Sequence, residues 1–279
     1  MAILSLFCAG LNDLVFKQYA AKPGSRGLYI AGIGLVWSAI QAVWTLSCDG
    51  PMHYDSPTIV YGLAAGVTLC FSNIALLESL RRLDISVGST VYRLNTVGVV
   101  ILSVLFLNES IGWLKGVGII MGIFSVLFLY APSGRSQGGC GTLFFLAVAV
   151  SASLMRAVYG VITKAGMLHL VDPQLMLTVV APCWIIGGLL YAGAMEKRPV
   201  FGVRPLVFSG ASGMLVFLIV FFLTKALQYG ETTVVIPIAN MSFLVAISLA
   251  AMLRIEHITL KKGAALGIAA AAILCLSLS

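Results

Sequence analysis

Ten apolar runs, each close to the ~20 residues that a helix needs to cross a bilayer, follow one another along this chain with only brief polar breaks between them. The pattern leaves little choice of fold. In hydrocarbon every backbone N–H and C=O must be bonded inside the protein, so runs of this kind become helices. They cover roughly residues 2–19, 27–47, 58–80, 85–107, 113–130, 142–163, 174–194, 206–228, 232–253 and 260–278. The connections carry turn formers, such as Lys22-Pro23-Gly24-Ser25 and Asp49-Gly50-Pro51. Composition agrees: 60% of the residues are hydrophobic and 10% charged, against about 25% charged in a soluble domain. A water-soluble enzyme is excluded. An all-α membrane protein of ten transmembrane helices is expected.

The formal charge of +7 is not read as a sign of nucleic acid, because the 17 Lys and Arg sit mainly at the ends of the apolar runs. Membrane proteins place them there to set orientation. The six cysteines, Cys8, Cys48, Cys70, Cys140, Cys183 and Cys275, include no CxxC pair. No metal, cofactor or disulfide framework is expected from them. The first run lacks a basic segment ahead of it and is interrupted by Asn12 and Asp13, unlike a cleaved signal peptide.

The most linker-like stretch, Pro132 to Gly139, falls at the midpoint and prompts a search for repeats. A shift of 147 residues, without gaps, brings Lys17 onto Lys164, Trp37 onto Trp184, Gly66 onto Gly213, Glu109 onto Glu256 and Lys115 onto Lys262. Residues 1–132 and 140–279 are therefore expected to be two five-helix repeats joined by a linker at 133–139. Five is odd, so the second repeat would enter the membrane inverted. Inverted repeats are typical of secondary transporters, whose substrate sites lie near the midplane.

The segment Asn108-Glu109-Ser110-Ile111-Gly112-x-x-Lys115-Gly116 recurs as Ile255-Glu256-His257-Ile258-Thr259-x-x-Lys262-Gly263. With Lys17 and Lys164 it resembles the EamA-type repeat of the drug/metabolite transporter superfamily. The resemblance extends over essentially the whole chain. It implies ten helices in two inverted bundles around a central cavity, in the cell (inner) membrane, without ATP hydrolysis. The absence of GxxxxGK[ST] agrees.

Small-residue spacings, Gly62/Gly66, Gly112/Gly116, Gly118/Gly122 and Gly263/Gly267, read as seams where helix backbones approach. Glu109 and Glu256 read as caps at the starts of the fifth and tenth helices. Lys17 and Lys164 read as side chains reaching the interface. Ionisable groups deeper in the apolar runs are costly and point to function. Arg93 shares a polar stripe with Ser86, Ser89, Thr90 and Thr96, next to Tyr92, and its repeat partner is Asn240. The alternative for Arg93 is a structural pairing with Glu78 or Asp84. Arg156 is followed on the same face by Tyr159, and Asn73 adds polarity to the third helix. Asp13 is either a salt-bridge partner or a proton-coupling acid, and Glu78 is the second coupling candidate. Trp37 and Trp184 are either cavity walls or packing anchors. Pro237 suits a helix discontinuity.

The substrate set expected from these residues is Arg93, Arg156, Asn240, Tyr92, Tyr159, Asp13, Asn73, Trp37 and Trp184. In small multidrug transporters, which resemble half of this chain, the essential glutamate lies eight residues before the lysine ending the first helix. Those positions are Ala9 and Arg156 here, so an anionic or zwitterionic metabolite is expected rather than a lipophilic cation. The alternative is a proton-coupled multidrug exporter. The expected partners are a small molecule, the bilayer and protons; the sequence does not speak to oligomeric state. Twelve Lys and Arg fall to the odd-numbered connections and three to the even ones. The charge count thus puts both termini outside, whereas the family resemblance implies cytoplasmic termini.

Overall fold

The computed structural model describes residues 1–20, 24–48, 54–79, 92–128, 140–196, 202–252 and 260–279. Among these residues the chain forms eleven helices and no strand. They are α1 (Ala2–Ala20), α2 (Arg26–Cys48), α3 (Ser56–Ser79), α4 (Asn95–Leu107), α5 (Trp113–Phe128), α6 (Cys140–Leu168), α7 (Pro173–Met195), α8 (Val203–Tyr229), α9 (Thr232–Asn240), α10 (Phe243–Met252) and α11 (Leu260–Ser277). Five stretches, Arg26–Ser47, Ser56–Ser79, Leu143–Leu168, Pro173–Met195 and Val203–Tyr229, are each long and apolar enough to cross a membrane. The protein is an all-α membrane protein. The linker, Asp84, Ser86, Ser89, Thr90 and Glu256 lie outside the described residues, as does the side chain of Lys17.

Helix α2 packs on α7 and α8, α3 on α6 and α7, α1 on α8 and α10, α4 on α6, and α5 on α11. Each of these interfaces maps onto another, or onto itself, under the shift of 147 residues. Individual contacts do the same. A Cβ on Gly66 would meet Cys183 and Val180, and one on Gly213 would meet Val36 and Ile33, all three positions displaced by the same interval. Trp37 and Trp184 meet edge to face with ring centroids 5.8 Å apart, an arrangement worth ~0.5–1.5 kcal/mol beyond its burial.

Between apolar helices in lipid, close packing replaces the hydrophobic effect as the cohesive force. Among the described glycines, the tightest approach to the backbone of another helix is between α2 and α7. A Cβ on Gly188 would lie 2.5 Å from the Ala31 nitrogen and 2.7 Å from the Gly27 oxygen. Gly62, Gly66, Gly118 and Gly122 sit in seams as expected, but Gly112 and Gly267 have nothing within 4 Å of a Cβ and Gly116 only Ile111 of its own segment. Spacing alone cannot say which helix face has a neighbour.

Helix ends are capped across the bundle. Asp172 accepts from the Gln174 and Leu175 N–H at 2.8 and 2.9 Å, and Ser25, at the equivalent repeat position, accepts from the Leu28 N–H. Glu109, expected from its position to cap the fifth helix, is engaged elsewhere. Asn108 adopts a left-handed conformation (φ 53°) that ends α4, a geometry Asn tolerates. The Glu109 carboxylate instead accepts from the Thr232 and Thr233 N–H of α9 at 2.7 and 2.8 Å. Lys164 likewise does not simply reach the interface: its Nζ donates to the Leu227 and Gly230 carbonyls at the end of α8. Lys115 pairs with Glu231 and donates to the Ser110 carbonyl. Replacing Glu109 by Ala orphans two N–H groups at a helix N-terminus and is expected to cost ~1–2 kcal/mol. The melting temperature of the detergent-solubilised protein checks this; Glu109→Gln, which keeps an acceptor oxygen, should lose less.

Candidate functional site

A cavity of about 410 Å³ lies among α1, α3, α6, α7, α8, α9 and α10 and extends to Arg26 at the start of α2. Its size suits a small molecule. Most of its wall is aliphatic, including Leu69, Leu76, Val216, Val220, Leu223 and Ile236, with polar groups concentrated on α1, α6 and two breaks in the helices.

Both breaks arise at repeat-equivalent positions. The helical turn at Tyr92–Arg93 is interrupted at Leu94 before α4 begins, and α9 and α10 are separated at Met241–Ser242. Pro237 lies in the last turns of α9, where it removes one helical hydrogen bond. Beyond the break the Leu244 N–H bonds to the Met241 carbonyl, so the Asn240 carbonyl is left for another donor. Arg93 supplies it, its Nη1 donating to the Asn240 oxygen at 2.7 Å and to Ser242 Oγ at 2.9 Å. Asn240 Nδ2 in turn donates to Asn95 Oδ1 and Thr96 Oγ1 at 2.6 and 3.0 Å.

Arg93 is also ion-paired. Its Nη2 donates to Asp13 Oδ2 at 2.6 Å, and the Ser242 hydroxyl donates to the same oxygen at 3.1 Å. Among the described residues its pairing partner is Asp13, from a helix 80 residues away in sequence, and not Glu78; Asp84 lies outside those residues. The clip joins α1, the turn before α4 and the α9–α10 break. Removing the carboxylate with Asp13→Asn leaves the guanidinium uncompensated. Asp13 is 41% and Arg93 17% exposed, so the expected loss is ~1–3 kcal/mol, below that for a fully buried pair. The double variant Asp13→Asn/Arg93→Gln should lose less than the sum of the two single losses, because the pair is coupled.

Arg156 borders the same cavity in a different electrostatic state. Its guanidinium carbon lies 5.5 Å from the centre of the Tyr159 ring, and among the described residues it has no ion pair. Two neutral donors at the wall, the Tyr159 hydroxyl and the Trp184 indole N–H, are buried without a partner among those residues.

The cavity brings together Arg93, Arg156, Asn240, Tyr92, Tyr159, Asp13, Asn73 and Trp184. Asn73 Nδ2 donates to the Leu69 carbonyl at 2.8 Å, and Tyr92 Oη lies 3.4 Å from Ser72 Oγ. Two expected residues stand apart. Trp37 is fully buried behind Trp184 and is not a wall of the cavity. Glu78 does not border it either; it accepts from the Tyr191 hydroxyl at 2.6 Å and lies 3.9 Å from Arg26 Nη1. Ser242 and Asn95 were not singled out by the sequence. They occupy equivalent repeat positions and are both polar, which is the signal that could have found them.

Helices of this length and composition, packed around a cavity, define a multi-pass membrane protein. The model of the EamA-like transporter family matches residues 1–131, just under half of the chain, and this first half is similar to that family. The matched family is one of membrane transporters. A solved structure described only as a crystal structure of a protein has the same fold, with a TM-score of 0.80 over 99% of this chain and 96% of the other at 14% identity. No curated protein matches the chain.

Proposed function

We propose that the protein carries a small anionic or zwitterionic metabolite, of the amino acid or organic acid type, across the cell (inner) membrane. The movement is alternating access between two inverted five-helix halves, without a cofactor. The observation that carries this reading is Arg156, a cation at the cavity wall with no ion pair among the described residues. An ionised group at membrane depth is costly unless something compensates it. A substrate carboxylate does so, and guanidinium binds it with two parallel hydrogen bonds. The two helix breaks at equivalent positions support the same reading, because transporters build substrate sites from discontinuous helices. A multidrug exporter of lipophilic cations needs a carboxylate free to exchange its ligand for a proton; Asp13, the one carboxylate among the described residues that border this cavity, is held by Arg93 and Ser242.

Reconstitution into liposomes tests the proposal. Labelled amino acids and organic acids are offered with and without a pH gradient. Saturable uptake of at least one is expected, and a response to the gradient would identify protons as the coupling ion. Uptake of quaternary ammonium compounds to the exclusion of both classes would overturn it.

A further inference from the structure

Among the described residues, the charges around the cavity pair off until one is left. Asp13, the only carboxylate among the described residues that border it, already accepts from Arg93 and Ser242 on one oxygen. The Asn240 carbonyl, exposed by the helix break, is taken by Arg93 as well. Arg26, at the outer end, lies 3.9 Å from Glu78. Arg156 remains. An α-ammonium group entering this space would meet Asp13 already neutralised by the Arg93 guanidinium and would stand near a second guanidinium that has no ion pair among the described residues. Much of the remaining wall is aliphatic, with Leu69, Leu76, Val216, Val220, Leu223 and Ile236 offering a surface that solvates an apolar body, and its polar side chains, such as Asn12 and Asn73, are neutral.

Resting on the reading of this cavity as the transport site, we infer that it selects a monocarboxylate with an apolar body and no α-ammonium group, its carboxylate held by Arg156. The site thereby separates organic acids from amino acids. The selectivity comes from the Arg93–Asp13 pair, which removes the anion that a zwitterion would need, and from Arg156, which is left to a single negative charge.

Isothermal titration of the purified full-length protein with three compounds that share a phenylalkyl body tests this. They are 3-phenylpropanoate, phenylalanine and 3-phenylpropan-1-amine. 3-Phenylpropanoate is expected to bind at least about tenfold more tightly than either of the others, the factor that one charge-assisted contact supplies. Arg156→Gln should weaken it by a similar factor, and Arg156→Lys by less. Phenylalanine or the amine binding as well as the carboxylate, no binding by any of the three, or an Arg156→Gln protein that binds 3-phenylpropanoate unchanged would overturn the inference. The comparison of compounds on the unaltered protein stands even if a variant misfolds. Transport separates the two levels: if phenylalanine binds best and is taken up, the selectivity inference fails while the transporter reading stands. If liposomes take up neither acids nor zwitterions, that reading fails as well.

Discussion

Arg156→Gln is expected to lower initial uptake of the transported substrate into liposomes by roughly 10- to 100-fold, the loss of one charge-assisted, bidentate contact. Its melting temperature should hardly change. Among the described residues Arg156 forms no ion pair whose loss would expose an opposite charge, and glutamine fills much of the same space beside Tyr159. Arg93→Gln should behave in the opposite order. Its guanidinium bonds Asp13, Asn240 and Ser242, so its loss loosens α1 from the α9–α10 break, leaves Asp13 without its counter-ion and lowers the melting temperature first. Measuring uptake and melting on the same preparations separates a binding cation from a positioning one. Full transport by Arg156→Gln, or an Arg93→Gln protein as stable as the parent, would contradict this division of roles.

The second large effect is steric and lies at the crossing of α2 and α7. Gly188→Ala places a methyl group 2.5 Å from one backbone atom of α2 and 2.7 Å from another. Backbone atoms cannot rotate aside as a side chain can, so the helices must separate along their closest seam. A loss of about 3 kcal/mol is expected, at the upper end for overpacking. Gly193→Ala, in the same helix, has nothing within 4 Å of the new methyl group. It should instead gain ~0.5–1 kcal/mol, because alanine loses less backbone freedom than glycine in a helix. Thermal melting of the pair in one detergent checks both signs. Equal behaviour would mean that the α2–α7 approach does not limit stability.

The two effects lie in different places for a reason that also divides what can be read from the chain. The apolar runs and their polar breaks determine the helices, because a segment in hydrocarbon must satisfy its own backbone and can do so only locally. The correspondence of Trp37 with Trp184, and of Gly66 with Gly213, is likewise written along the chain as an interval of 147 residues. Depth in an apolar run was enough to single out Arg93, Arg156 and Asp13 as costly and therefore informative. Which of them would be spent on one another was not legible. Asp13 and Arg93 sit on elements with no periodic relation, and their pairing depends on where α1 meets the α9–α10 break. The same holds for Glu109, whose position at the foot of α5 suggested a local cap. The left-handed turn at Asn108 and the packing of the neighbouring elements direct its carboxylate to α9 instead. Trp37 and Trp184 are equivalent by sequence, yet only Trp184 borders the cavity. Local hydrogen bonding is set by the order of residues, whereas ion pairs and cavity walls require side chains from distant helices to come within a few ångströms. Only tertiary packing decides that.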